Sequence, residues 1–508
     1  MSSTTQTPFR VIVVGAGVAG LAASHALQKA GIDHVVLEKH RDAVPTEGAS
    51  ITIYPQIVRI LHQFGCADAL IKSSVPHMHL VNRRPDGSEF ARVPFFGYVN
   101  ENHAADLLPL ERREFLQILY DGLPDKTPIR TSVTIKDVKE VMDGVEVTLA
   151  DGTVEKGDMV LGCDGVHSSM RNYMQYFANK EIPGFITEKE KNAFKTSWKC
   201  LVGIGPPEAS LGASDLTITH DEKYSFEIVA QPHCTFFFVY FYLKEPYYSP
   251  ARVRYTDQDA EDLAATVADH PLTETCKFGD LWKNRVRGTL VASEEGILEH
   301  WHHGRIVLAG DAIHKMTPNI ALGGNAAIES IVTLCNQLTR TLAKHQGAKP
   351  SRAALSETFA AYQAERWERI NYAIKISGIA TRIQAMTNPL YKLGAYATPW
   401  LPERGAPDTV GEYIRGSPSL DYVSLDGFPR GRLMWKDEEE KLNLQMGKTT
   451  PKKKNVRALK VTNKTEKSGV FFQMMSLSVA VVMVVSALRF LPLGADYKTQ
   501  QLVSWVRF

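Results

Sequence analysis

The stretch that most constrains this chain is its first strand-turn-helix, residues 9–30. Arg10-Val-Ile-Val-Val-Gly15 is a β-branched run, too short for a helix and apolar on both faces, which is the pattern of a central parallel strand. It enters Gly15-Ala-Gly17-Val-Ala-Gly20 and then a run of strong helix formers ending at Ala30. In this spacing Gly15 allows the tight turn, Gly17 lets a diphosphate approach the backbone, and Gly20 lets helix and strand pack closely. The helix N-terminus offers free N–H groups and a positive dipole end to the phosphates. A lone GxGxxG is weak, but here Gly31-Ile-Asp-His-Val-Val-Leu-Glu38 supplies the turn, a second apolar strand and an acid at its end. Glu38 sits where a carboxylate accepts the ribose hydroxyls of an adenosine cofactor, and a carboxylate argues against a 2′-phosphate there. FAD or NAD(H) is expected rather than NADP(H). The plain alternative is an α/β unit with no ligand.

At 508 residues the chain has room for two or more domains with large cores. A net charge of +2 leaves no electrostatic footprint for nucleic acid, so no nucleic-acid partner is expected. The six cysteines (Cys66, Cys163, Cys200, Cys234, Cys276, Cys335) show no CxxC or zinc spacing, which points to reduced thiols and to no metal site. Residues 1–8 are short, polar and uncharged, unlike a secretory signal peptide.

Along the chain, residues 57–64 and 67–70 read as amphipathic helix, and residues 78–96 as strands around a turn at Pro85-Asp-Gly87. Leu110 to Tyr120 reads as a helix with its apolar stripe at Phe115, Leu116 and Leu119. Gly144-Val-Glu-Val-Thr-Leu149 and Asp158-Met-Val-Leu161 read as strands separated by the Asp151-Gly152 hairpin signal. From 184 to 290 the pattern becomes strands rich in aromatics, notably Thr235-Phe-Phe-Phe-Val-Tyr-Phe-Tyr242, which implies an antiparallel second layer. Residues 236–242 would floor an apolar pocket or serve as ordinary strand core. Arg305-Ile-Val-Leu-Ala309 returns to parallel-strand character, and residues 325–385 are mainly helical.

The expected fold is α/β: a Rossmann-like FAD-binding domain with an inserted, mainly antiparallel substrate sheet, plus a C-terminal hydrophobic helix. Its parts are residues 1–183 and 291–400 for the nucleotide domain, with strands in 72–100 available to the substrate sheet. Residues 184–290 form the substrate domain, 401–469 an extension and basic linker, and 470–490 a membrane-anchoring helix. The last of these is uncharged up to Leu488 over a length able to cross a bilayer, and Lys452-Lys-Lys454 precedes it. A positive flank on that side places the catalytic body in the cytoplasm. A buried core helix, or one lying in the membrane interface, is the alternative.

Two further turns repeat the nucleotide logic. Asp158-Met-Val-Leu-Gly-Cys-Asp164-Gly165-Val-His-Ser168 joins a strand to a helix that Ser168 can cap, with Asp164 at the strand's C-terminal edge, where ligands of α/β sheets gather. Arg305-Ile-Val-Leu-Ala-Gly310-Asp311 ends a second strand, and Pro318 to Gly324 forms a glycine-containing loop that opens a helix near Asn325. Asp311 could accept from a ribityl hydroxyl; each aspartate alone could equally be a cap. The three motifs in this order resemble the single-domain FAD-dependent aromatic hydroxylases over residues 9–385. Glu38-Lys, Glu47-Gly-Ala-Ser-Ile, Arg112 and His314-Lys-Met-Thr-Pro-Asn-Ile, with the tail, are similar to the fungal paxilline-type monooxygenases. That resemblance implies Glu38, Arg112 and Asp311 as FAD contacts, with loop positions Thr52 and Gly324. The chain departs from the family at those two loop positions, where glycine and alanine are usual, and at Ala321-Leu322, where Gly-Gln is usual.

The resemblance implies a flavin monooxygenase that uses NADPH or NADH as a transient reductant and O2, and that epoxidises the prenyl chain of an indole-diterpene or meroterpenoid intermediate. No second Rossmann unit houses the nicotinamide. The partners implied are an apolar prenylated small molecule and, through 470–490, a membrane, most naturally the endoplasmic reticulum. No catalytic side chain is identified: the family's active-site tyrosine has no secure match, and His220 and Tyr224 both lie near its place. Lys315 reads as a solvated surface lysine, although it and His314 lie near the flavin loop. The competing functions are an aromatic-ring hydroxylase, a flavin-dependent prenyl reductase or dehydrogenase, and a flavin-free prenyl-binding escort protein.

Overall fold

The strand Arg10–Val14 lies inside a six-stranded sheet because it is apolar on both faces and both are covered. Its neighbours are Asp33–Leu37 and Met159–Gly162, both parallel, so that Val13 sits between Val36 and Leu161. Ile306–Leu308 continues the sheet in parallel beyond Met159–Gly162, Ile129–Arg130 lies outside Asp33–Leu37, and His302–His303 forms the antiparallel edge. The computed structural model describes residues 8–45, 48 and 50–446. The helix Val18–Lys29 is apolar nearly all round, as a helix must be when covered on both sides; it packs on this sheet and against the helix Leu322–Lys344.

The second layer is an eight-stranded sheet built from Arg287–Ile297, Lys195–Gly205, Cys234–Tyr248, Tyr224–Gln231 and Leu216–His220. His314–Lys315 adds to one edge, and Leu80–Arg83 and Glu89–Val93 to the other. The strands read between 78 and 96 therefore join the inserted sheet. Leu80–Arg83 runs parallel to Leu216–His220, while the other pairings are antiparallel. Alternation splits the aromatic run between two environments. Phe237 and Val239 pack with Phe226, Phe278 and Trp282 on the outer face, whereas Phe236, Phe238 and Tyr240 join Trp198 and Cys200 on the inner one.

One strand pairing differs from expectation. The Asp151-Gly152 turn joins Gly144–Leu149 to Val154–Gly157, within a three-stranded sheet completed by Ile135–Val141, and Met159–Gly162 belongs to the parallel sheet. Val154-Glu-Lys-Gly157 is polar and half exposed, so no apolar run announces it, whereas Met159 to Leu161 is fully buried. The helix Arg112–Asp121 buries Phe115, Leu116 and Leu119 as read from its stripe. The late helix begins at Leu322, three residues before Asn325, and is followed by the 33-residue helix Arg352–Gln384. All six cysteines are free and buried.

The C-terminal extension docks on the nucleotide-binding part. Gln63 holds the backbone of Leu420 and Val423, Tyr422 donates to the Ala26 carbonyl at 2.9 Å, and buried Arg59 lies over Trp435 while forking onto Asp437. The hydrophobic helix read at 470–490 lies outside the described residues. Among the described residues, no helix is long and apolar enough to cross a membrane.

Candidate functional site

The three turns meet at one cleft of about 730 Å³, a size suited to a small-molecule or cofactor site. Gly15, Gly17, Glu38, Thr52, Arg112, Asp164, Asp311 and Gly324 all border it. Gly20 does not: it lies beneath, where a Cβ would stand 1.8 Å from the Gly15 carbonyl oxygen. Gly15 has φ +98°, and a Cβ there would fall 2.7 Å from the Cys163 oxygen. These two glycines are required by the fold itself. At Gly17 the nearest atom to such a Cβ is Arg112 Nη2 at 4.0 Å, so the backbone is bared toward the cleft. Among the described residues no side chain caps the helix Val18–Lys29, which leaves its first-turn N–H groups for a ligand. The helix Leu322–Lys344 likewise starts uncapped, with Gly323 and Gly324 on the cleft. Two bare helix N-termini on one cavity fit an anionic dinucleotide.

Glu38 ends its strand buried and accepts from the N–H groups of Ala16 (2.7 Å) and His40 (2.9 Å). Each carboxylate oxygen keeps a second lone pair, so fastening the turn and accepting from a ribose are compatible. Arg112 opens its helix and lies over Gly48, with its guanidinium near Gly17 and close enough to Asp311 to lower that carboxyl's pKa. Asp164 takes the hydroxyls of Ser168 and Ser169 and the N–H groups of Ser169 and Met170. Three of these donors meet at Oδ2 and one at Oδ1, so this carboxylate caps the following helix and keeps one lone pair on Oδ1. Ser168 caps as expected, accepting from the Arg171 N–H at 2.9 Å. Arg171 donates to the carbonyls of Val166 and Ala312 and so clamps the Asp-Gly and Gly-Asp turns together.

Asp311 lies in the short turn Gly310–Ala312. Burial raises its carboxyl pKa, but Lys315, His314 and Arg112 outweigh that and hold it below the usual carboxylate range. Lys315 Nζ donates to Asp311 Oδ2 at 2.5 Å, so the residue read as a solvated lysine is the inner half of an ion pair. His314 is buried core, its pKa pushed down to about 4 by burial. Thr52 contributes through its backbone: Asn325 Nδ2 donates to the Thr52 and Ala321 carbonyls, and Asn325 Oδ1 accepts from the Tyr54 N–H. Asn325 thus fixes the loop that carries Gly324.

The opposite wall comes from the inserted sheet: Glu227, Val229, Phe238 and Tyr240. Neither His220 nor Tyr224 lines the cleft. His220 is buried against Asn82 Oδ1 (2.9 Å), and Tyr224 lies on the outer face stacked on Phe241. Strand parity turns Tyr224 away and Tyr240 toward the cleft, whereas His220 shares the inner face and is kept from the cleft by its place at the end of its strand, against Asn82. Glu227 escapes the sequence reading altogether; its signal is a lone carboxylate between Phe226 and Ile228 in an otherwise apolar strand.

Residues 8–374 match the FAD binding domain family. The chain is 40% identical over 440 residues to FAD-dependent monooxygenase DEP2 of Alternaria brassicicola, covering 85% of this chain and 82% of that one. It is 36% identical over 419 residues to FAD-dependent monooxygenase atmM of Aspergillus flavus, covering 82% and 87%. Among solved structures it is similar to Klebsiella pneumoniae HpxO complexed with FAD and uric acid, with a TM-score of 0.66 at 20% identity over 81% of this chain and 97% of that one. At that identity the likeness speaks for the fold alone.

Proposed function

This chain belongs to the FAD-binding-domain family and is an FAD-dependent monooxygenase, and from that premise we propose that it epoxidises an alkene in the prenyl chain of a meroterpenoid or indole-diterpene intermediate of secondary metabolism. The observation that carries the reading is the cleft's two unlike walls: dinucleotide-binding turns on one side, Val229, Phe238 and Tyr240 on the other. In this reading Gly17 and the bare N-terminus of Val18–Lys29 hold the diphosphate, and Glu38 the ribose. Asp311 and Arg112 hold the polar middle of the cofactor, while the backbone at Thr52, Gly324 and the Asp164 turn closes around the flavin ring. FAD, reduced by NADH or NADPH, supplies the oxygen-activating chemistry. The apolar wall orients the alkene and keeps water from the reacting atoms, and epoxidation asks for no nucleophilic side chain.

Residues 470–490 anchor the enzyme to a membrane in this reading, with the catalytic body on the cytoplasmic side of the endoplasmic reticulum, where an apolar substrate dissolves. The uncharged length of the segment and its basic lead-in support this.

The reading is tested on purified protein with NADPH or NADH, 18O2 and candidate prenylated aromatics. A labelled epoxide is expected. Product without label removes the monooxygenase reading for the substrate tried, and a labelled phenol replaces epoxidation by ring hydroxylation. Full-length and 446-residue forms, separated by membrane flotation, test the anchor: only the full-length form should float.

A further inference from the structure

We propose that Glu227 works as a neutral carboxylic acid whose O–H is donated to an uncharged oxygen of the substrate, making it the residue that selects and registers molecules in this cleft. The proposal rests on the monooxygenase reading of the cleft.

Glu227 lies on the strand Tyr224–Gln231 directly opposite Phe238, on the same face as Val229, and it lines the cleft. It is 7% exposed, and its Oε2 is buried with no hydrogen-bond partner among the described residues. A structural carboxylate would be paired, as Glu329 and Glu38 are. The groups that sense Glu227 come from three elements: Tyr54 beside the helix Pro55–Phe64, Cys200 on Lys195–Gly205 one strand further across the sheet, and Tyr240 on the adjacent Cys234–Tyr248. All three are neutral near pH 7, and none is a cation. Burial alone acts on the Glu227 carboxyl and pushes its pKa well above the usual range.

A neutral carboxyl carries one O–H donor and remaining acceptor capacity. Nothing among the described residues uses that donor, and leucine would fill the place between Val229 and Phe238 at no polar cost. The donor therefore serves a ligand. The surrounding wall is apolar, so an anionic or cationic ligand group would be buried without compensation. What fits is an apolar molecule with one uncharged acceptor, such as a ketone or ether oxygen, at a fixed distance from the bond that reacts. Glu227 is then a specificity-determining residue.

The test uses flavin-loaded enzyme and two arms. In the ligand-free arm, infrared difference spectra between wild type and E227Q at neutral pH should show the C=O stretch of a protonated carboxyl. Its absence overturns the proposal. In the binding arm, titrations followed by the flavin absorbance compare geranylacetone with the hydrocarbon in which its C=O is replaced by C=CH2. Wild type should prefer the ketone about tenfold or more, E227Q should keep most of that preference through its amide N–H, and E227L should bind both alike. An unchanged preference in E227L, or no response to the ketone in wild type, overturns it. A preparation without a flavin spectrum refutes the reading of the cleft itself, which is a different failure.

Discussion

Glu329 is fully buried between Arg366 and Arg369, which reach its carboxylate at 2.7 and 2.6 Å. Burial raises its carboxyl pKa, but the two guanidinium groups reverse that and hold it at about 2. A depressed acid stabilises the fold fully above the unfolded carboxyl pKa, near ~4.3, and loses that contribution as pH falls toward 2. Glu329→Gln strands two buried cations and is expected to cost about 3–5 kcal/mol in urea unfolding at pH 7. Asp311 is of a different kind, since it faces the cleft and is partly exposed. Asp311→Asn is expected to leave the fold intact and to lower flavin retained through gel filtration; unchanged occupancy would refute its assignment to the cofactor. Both aspartates of the late motifs are visible in the sequence, but the division of labour between them is not. Asp164 is held by the serines of its own loop and Asp311 by Lys315, and only the folded turns show which carboxylate is given over to capping.

At the scale of the element, the glycines of the first turn separate by what surrounds them. Gly20 has the Gly15 oxygen where a side chain would start, and Gly17 has open cleft. Gly20→Ala should therefore unfold the protein or lower its stability by several kcal/mol, about 3 or more by the measure of overpacked cores. Gly17→Ala should unfold within about 0.5 kcal/mol of wild type yet retain less flavin. Equal loss of stability in both variants would show that the turn, not a ligand, sets the pattern. The same local logic made the first strand and its helix legible: a fully apolar β-branched run and a helix with no polar face have one place to go. It failed at Val154–Gly157, where a polar edge strand has no period of its own to read.

For the molecule as a whole, six histidines (His25, His77, His103, His220, His302 and His314) are held neutral, each with its pKa pushed down to about 4 by burial. A depressed base gives stability that is present above the unfolded pKa near ~6.5 and is lost as pH falls toward 4, because the unfolded chain takes up the proton first. Glu227 acts in the opposite sense, since a raised acid weakens the fold as pH rises above the unfolded carboxyl value. One acid does not offset six histidines. Tm should fall steadily between pH 6.5 and 4, with several protons taken up per molecule on unfolding near pH 5, measured by calorimetry in buffers of different ionisation enthalpy. A flat Tm across that range would show that these imidazoles are hydrated.

The sequence by itself determined the nucleotide-binding half. The three turns are local, their glycines and aspartates answer to dihedral and capping demands within a few residues, and their order matches how a parallel sheet is threaded. Only the tertiary structure decided the other wall of the cleft. Which of Tyr224, Glu227 and Tyr240 faces inward is set by strand register between Tyr224–Gln231 and Cys234–Tyr248 and by which face of that sheet turns toward the cofactor turns. In a strand apolar on both faces the period-2 signal vanishes, so nothing in the order of residues says which side is in.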